Sequence, residues 1–270
     1  MNMDRTEKYC MPGCVEQVLC SSHKQLEYRI LIAVPGADPP ERGYPVIYAL
    51  DGDAVFGTLV EAARLQTRKP HGFDPAMIVG IGYPSREPFD RNRRYYDFTT
   101  PAQAEHLPER PNGWEWPDLG GADAFLDFME AELMPKIFGQ YPVDRERQAI
   151  FGHSLGGLLV LHALFSRPQL FQHYIAGSPS IWWNNRAILQ EKIKFETTLA
   201  EARIYPRLLI TIGADELDYM VKDAEQLAES LEPLAACGFH SEMVKFADEN
   251  HVSVLPAALS RLLKFTLGGA

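Results

Sequence analysis

The residues with the clearest capacity for chemistry lie in IFGHSLGGLLVLHALF, residues 150–165. Gly152-His153-Ser154-Leu155-Gly156 fits G-x-S-x-G. The preceding QAIFG reads as a buried strand and the following LLVLHALF as an apolar helix. That is the strand–turn–helix setting in which a strained turn exposes a serine hydroxyl above a sheet. The Leu155 N–H would then lie at the positive end of a helix, where it can hold a developing oxyanion. Side chains at 152 and 156, two residues either side of the serine, are expected to collide with the adjacent strand or helix. The alternative is a glycine-rich turn with an incidental serine.

A serine hydroxyl is a weak nucleophile without a base. After a turn of this kind the partners follow in the order Ser, acid, His. His162 and His173 precede any plausible acid loop, and His240 opens the last strand. His251, in ADENHVSVLP, falls between the last strand and the final helix, at the carboxyl end of a parallel strand where open α/β sheets place their sites. His251 is therefore the expected base. The acid is expected after RLLITIG, where Gly213-Ala214-Asp215-Glu216-Leu217-Asp218 offers three carboxylates. Glu216 is preferred and Asp215 second; at least two of the three are ordinary solvated acids. The acid would orient the imidazole and stabilise its cation. A second oxyanion donor is expected from an earlier strand end, YALDGDAVF. There Gly52 lets the backbone turn and aims the Asp53 N–H inward. A plain Asp51-Gly52 turn is the competing reading.

Such residues need a frame. In LEYRILIAVP (26–35) the alternate positions Leu26, Tyr28, Ile30, Ile32 and Val34 are apolar, as in a half-buried strand, and CVEQVLCSS before it can pair with it as a hairpin. From Tyr44 onward, short apolar strands alternate with helix-length segments. YPVIYAL precedes a helix near 54–69, and AMIVGIG (76–82) precedes a long irregular stretch over 84–120. A helix near 121–138 leads to RQAIFG and the helix that starts at Ser154. HYIAG (173–177), RLLITIG (207–213), a helix near 219–236, SEMVKFA (241–247) and a helix near 253–266 follow. Continuously apolar strands alternating with helices make a parallel sheet joined by right-handed crossovers. The fold class expected is α/β, an α/β-hydrolase fold, with a mostly parallel sheet, an antiparallel N-terminal hairpin and helices on both faces. No repeat or linker divides the chain, so residues 1–270 are expected to form one catalytic domain. The 84–120 loop is long for a compact domain, and its aromatic content (RYYDF, GWEW) argues against disorder.

Bulk composition narrows the function. The chain has 270 residues and a formal net charge of −10, a poor basis for nucleic-acid binding. MNMDRTEKYCMPG contains no apolar segment of a signal peptide, and no run approaches the ~18 apolar residues of a membrane span. A cytoplasmic protein is expected. Cys10, Cys14, Cys20 and Cys237 show neither zinc nor redox spacing and read as thiols.

The segments LDGDAVF, VGIGYP, RRYYDFTTP, FMEAELMPKI, YPVDRERQAIFGHSLGGL, GSPSIWWNN and ENHVSVLPAAL occur in this order from about Tyr44 onward. This series resembles the esterase D-type esterases and, within them, the trilactone siderophore esterases acting on enterobactin, salmochelin and bacillibactin. RRYYDFTTP and SPSIWWNN carry the narrower likeness. The resemblance implies ester hydrolysis through Ser154 and His251, supports the Asp53 N–H as an oxyanion donor, and leaves the acid least defined. It also implies that the 84–120 loop and the Trp182-Trp183 region wall the substrate cleft, so Trp183 is an expected substrate contact. Arg86, Arg91, Arg93 and Arg94 cluster in that loop of an otherwise acidic chain. Arg91 and Arg94 are the expected contacts for an anionic ferric catecholate, through charge and stacking; a merely solvated basic face is the alternative. The substrate expected is a small-molecule ester, with a ferric siderophore the preferred case. No organic or metal cofactor, nucleic acid or membrane partner is expected, and iron would be cargo. The rival readings are a carboxylesterase, thioesterase or feruloyl-type esterase or acyltransferase on small acyl groups, and a hydrolase-fold binding protein without turnover.

Overall fold

Within one strand, successive side chains point to opposite faces of a sheet. A strand that is apolar at every position must therefore be covered on both sides. YPVIYAL shows the consequence. Val46, Tyr48 and Leu50 enter one buried cluster, while Ile47 and Ala49 enter another across the sheet. The computed structural model describes residues 10–109, 115–202 and 204–268. The start of the N-terminal segment, residues 1–9, and Gly113-Trp114 of GWEW lie outside the described residues.

The strands are β1 (Cys14–Cys20), β2 (Glu27–Ala33), β3 (Tyr44–Leu50), β4 (Met77–Gly82), β5 (Val143–His153), β6 (His173–Gly177), β7 (Arg207–Gly213) and β8 (His240–Phe246). They form one eight-stranded sheet in the order β1-β2-β4-β3-β5-β6-β7-β8. β1 and β2 pair antiparallel, as does β2 with β4; every other neighbouring pair is parallel. This is the expected α/β-hydrolase architecture with its leading hairpin at one edge.

α1 (Gly52–Gln66) and α9 (Val254–Leu267) pack on each other and cover one face through Leu59, Val60, Leu259 and Leu262. The other face takes α3 (Ala122–Phe128), α4 (Met134–Gln140), α5 (Leu155–Ser166), α7 (Ile188–Ala202) and α8 (Asp218–Leu231). α3 and α4 are joined through a π-helical turn, Met129–Leu133, where one uninterrupted helix was expected. α7 was not expected. Its sequence is rich in Glu, Lys and Thr, and it is seated by Ile188, Phe195 and Leu199, with Phe195 packed 5.4 Å from the Phe165 ring.

The 84–120 stretch is less irregular than its sequence suggests. It contains α2 (Arg91–Asp97) and a 3₁₀ turn, Ala104–His106. α2 lacks apolar periodicity. It is started by the Asp90 carboxylate, which accepts the Arg93 N–H at 3.1 Å. The Arg93 guanidinium then stacks on the Tyr28 and Tyr83 rings, both 4.8 Å away. Asn184 and Asn185 have positive φ in the short helical turn α6 (Trp183–Arg186). Among the described residues no helix is long and apolar enough to cross a membrane.

Candidate active site

β5 ends at His153 and α5 begins at Leu155, so Ser154 alone forms the turn between them. Its φ of 61° and ψ of −116° are strained for a residue with a side chain. Backbone bonds hold it there. The Ser154 N–H donates to Gly177 O at 2.9 Å, and its carbonyl accepts from the N–H groups of Leu158 and Ser180 at 3.0 and 3.1 Å. Its hydroxyl lies 3.3 Å from that of Ser180. Gly152 behaves as expected, because a Cβ there would sit 2.3 Å from Gly156 O. Gly156 does not. A Cβ at 156 would make only ordinary contact, 3.5 Å from Asp51 Oδ2. The second tight position is Gly157, whose Cβ would lie 2.7 Å from Gly177 O. The spacing rule misses this because the constraint comes from the loop after β6, a neighbour in space and not in sequence.

The loop after β7 brings Glu216 to His251. Glu216 Oε2 is 2.6 Å from His251 Nδ1, and Oε1 accepts from Ser178 Oγ at 2.5 Å and from the Gly213 N–H at 2.9 Å. Glu216 is buried, whereas Asp215 and Asp218 are exposed. Burial alone would push the Glu216 carboxyl up. The hydrogen bonds from His251, Ser178 and Gly213 outweigh it and hold the carboxyl below its ordinary value. Ser178 and Ser180 were not singled out from the sequence. The available signal was two hydroxyls in GSPSIWWNN at the end of the strand between the elbow and the acid.

The His251 ring lies against that of His153, with centroids 4.6 Å apart and planes 40° apart. Burial, with the neighbouring His251 adding to it, pushes His153 down to about 3. A neutral ring therefore lies against the His251 imidazole.

At the end of β3, Asp51 has left-handed backbone angles (φ 52°, ψ 47°) and α1 starts immediately after it. Asp53 stands in the first turn of that helix, where N–H groups have no intrahelical acceptor. Its carboxylate is turned outward from the turn, paired with Arg29 and accepting the Tyr83 N–H at 3.2 Å.

The expected substrate contacts separate. Arg91 is exposed at the start of α2. Arg94 points inward: its side chain is 12% exposed, Nε is 2.8 Å from Asp51 Oδ1, and Nη2 donates to His153 O at 3.1 Å. Trp183 is 2% exposed and packs among Tyr95, Trp116 and Trp182. Local sequence sets neither outcome. Trp182 and Trp183 are neighbours of which one turns to the core, and Arg91 and Arg94 lie one helical turn apart, with Arg94 the one that reaches Asp51 and the His153 carbonyl. The half-buried Trp182 and the exposed Tyr219, 6.4 Å apart, occupy the outer position instead.

An eight-stranded sheet of this order, a serine strained at a strand–helix turn, and a His–Glu pair on the following loops define a serine hydrolase of the α/β-hydrolase fold. Residues 21–253 match the Esterase family model, described as "Putative esterase". The chain belongs to that esterase family. It is 44% identical over 273 residues to the ferri-bacillibactin esterase of Bacillus subtilis (strain 168), covering 98% of this chain and 93% of the relative. The siderophore triacetylfusarinine C esterase of Aspergillus fumigatus is 37% identical over 241 residues, 80% of this chain and 79% of its own length. Among solved structures, the BES protein from Bacillus cereus superposes with a TM-score of 0.93 at 37% identity, covering 98% of this chain and all of that one (100%).

Proposed function

We propose that this esterase cleaves the ester bonds of a ferric trilactone siderophore of the catecholate class and so frees its iron, acting in the cytoplasm. The observation that carries the reading is the near full-length likeness to a ferri-bacillibactin esterase, joined to a site with the groups that ester cleavage requires. Free Cys14 and Cys20 on an exposed strand fit a reducing compartment.

Ser154 Oγ attacks the ester carbonyl as His251 Nε2 takes its proton. Glu216 at Nδ1 fixes the tautomer that leaves Nε2 available and stabilises the imidazolium. The carbonyl oxygen becomes an oxyanion held by the N–H groups of Leu155 and Asp53, both at helix starts. Collapse expels the alcohol, which takes the proton back from His251. Water repeats the sequence on the acyl-enzyme, releasing the acid and restoring Ser154. Arg91 attracts the anionic complex, and Trp182 with Tyr219 offers flat faces for its aromatic arms. The whole chain serves as one catalytic domain.

The test is a hydrolysis panel comparing ferric and iron-free trilactones with short p-nitrophenyl esters and a thioester. Preference for the ferric trilactone in kcat/KM is the expected result. Faster turnover of simple acyl esters or thioesters would assign the site to general acyl hydrolysis.

A further inference from the structure

β3 and β5 are neighbouring parallel strands whose ladder ends at the pair Ala49 and Phe151. Continuing that register places Leu50 opposite Gly152 and Asp51 opposite His153. Beyond the ladder the two chains diverge. One turns through Asp51 into α1, and the other turns through Ser154 into α5. The two proposed oxyanion donors, Asp53 and Leu155, each lie two residues past this unpaired register. The sheet holds these two ends only on their far sides, Leu50 to Ile81 and His153 to Gly177, and the β3–β5 ladder itself stops short of them.

Arg94 spans that gap. Its guanidinium presents two edges: Nε to the Asp51 carboxylate at 2.8 Å and Nη2 to the His153 carbonyl at 3.1 Å. The fork is stacked between the rings of Phe89 and Phe98, 5.1 and 5.7 Å away, which fixes its plane. Asp51 is 2% exposed, and its second oxygen reaches the first turn of α5 beside Gly156. A buried carboxylate so close to a developing oxyanion would repel it if no cation stood against it.

We propose that Arg94 is a positioning residue that ties the end of β3 to the end of β5 and thereby sets the spacing of the oxyanion donors. It acts through the backbone of Asp51 and His153 and not by touching substrate. The inference rests on the hydrolase mechanism above, and two variants keep the two claims apart. If Ser154→Ala stays active, that mechanism falls whatever Arg94 does. If Ser154→Ala is inactive while Arg94→Gln retains full kcat, only the present proposal falls.

The experiment is steady-state kinetics on a neutral p-nitrophenyl ester and on the ferric trilactone, with inhibition by a trifluoromethyl ketone that forms a tetrahedral oxyanion on serine. Loss of one whole oxyanion donor costs ~10²–10³ in kcat, so Arg94→Gln, which displaces donors, should lower kcat about 10- to 100-fold on both substrates. KM should stay within about threefold, and trifluoromethyl ketone affinity should fall in step with kcat, because both read oxyanion stabilisation. Arg94→Lys should recover only part, since an ammonium lacks the planar fork that meets both partners. Should Arg94→Gln fail to fold, the lysine variant decides the matter: a kcat equal to wild type overturns the proposal. A rise in KM on the trilactone alone, with kcat intact, overturns it in favour of a substrate anchor. Full recovery in Asp51→Asn/Arg94→Gln also overturns it, since that would show Arg94 to be needed only to neutralise Asp51.

Discussion

Glu216 Oε2 stands 2.6 Å from His251 Nδ1, and the other oxygen of the same carboxylate is occupied by Ser178 and the Gly213 N–H. The carboxylate is thus fixed by two groups, one from the loop after β6 and one from the end of β7, before it meets the histidine. The ring nitrogen it meets is Nδ1, which leaves Nε2 on the far side. Glu216→Gln keeps the shape but lets the amide favour the wrong tautomer. We expect kcat to fall by roughly 10³–10⁴. Asp215→Asn and Asp218→Asn, both exposed, should stay within about twofold, as changes at solvated surface positions do. A large loss at Asp215 instead would refute the assignment.

Ser154→Ala and His251→Ala should each abolish most turnover, by roughly 10⁴–10⁶ in kcat, and the double variant should be little worse than either. The pair acts as one unit, so losses that multiply in the double variant would mean that His251 does not serve Ser154. Circular dichroism and a thermal melt would verify that the folds are intact.

The glycines of the elbow should differ in a way the motif does not suggest. Gly157→Ala places a methyl group 2.7 Å from Gly177 O, and relief requires shifting the loop that carries Ser178 and Ser180. It should destabilise the protein by about 1–3 kcal/mol. Gly156→Ala meets only ordinary contacts and should be neutral or stabilising by up to about 1 kcal/mol, the helix preference for Ala over Gly. Urea denaturation of the two variants measures both, and the reverse ranking would show that the packing argument is wrong.

Asp97 supplies a pH test. It is buried, accepts from Tyr28 Oη at 3.1 Å, and is pushed up to about 6 chiefly by burial, against the opposing charge of Arg93. An unfolded Asp titrates near ~3.9, so between about pH 6 and pH 4 the native state binds the proton and the unfolded chain does not. Stability from this group therefore grows as pH falls through that window and is constant below it. Wild type minus Asp97→Asn stability should shift in favour of wild type from pH 7 to pH 4. A difference that is flat or moves the other way would contradict it. Glu216 has the opposite sign: its depressed carboxyl contributes above the ordinary value near ~4.3 and loses that contribution as pH falls further.

Arg91 and Arg94 should separate kinetically. Arg91 is solvated, so Arg91→Gln should raise KM for the ferric trilactone about 1.5- to fivefold, the scale of an exposed ionic contact, and leave kcat unchanged. A neutral p-nitrophenyl ester should not register the change. Added salt should weaken wild type on the trilactone more than the variant, because screening removes the same attraction. Equal salt response in both proteins would remove Arg91 from recognition.

The strand–helix alternation and the elbow were legible in the sequence because each is a local pattern, whereas the order of strands in the sheet, with β4 between β2 and β3, was not. Val46 to Leu50 and Leu208 to Ile210 are apolar without interruption, which only a doubly covered strand tolerates, and QAIFGHSLGG reads as strand, turn and helix within ten residues. His251 could be chosen because the loop after the last parallel strand must emerge at the same end as the elbow, and Glu216 lay in the corresponding loop one strand earlier. What the tertiary structure decided was everything set by contact between distant segments. α2 forms through a cap at Asp90, through the nearby Tyr83 and through Tyr28, far from it in sequence, so RNRRYYD carries no periodic signal. Gly157, not Gly156, is tight because Gly177 arrives from β6. Arg94 is drawn inward by Asp51 and the His153 carbonyl, and Trp183 by Tyr95 and Trp116, while Arg91, one helical turn earlier, and Trp182, next in the chain, stay nearer solvent. A pattern in one dimension fixes which faces of an element are apolar. Which of two adjacent polar or aromatic residues turns toward a buried partner depends on where that partner's backbone runs, and only the folded chain supplies that.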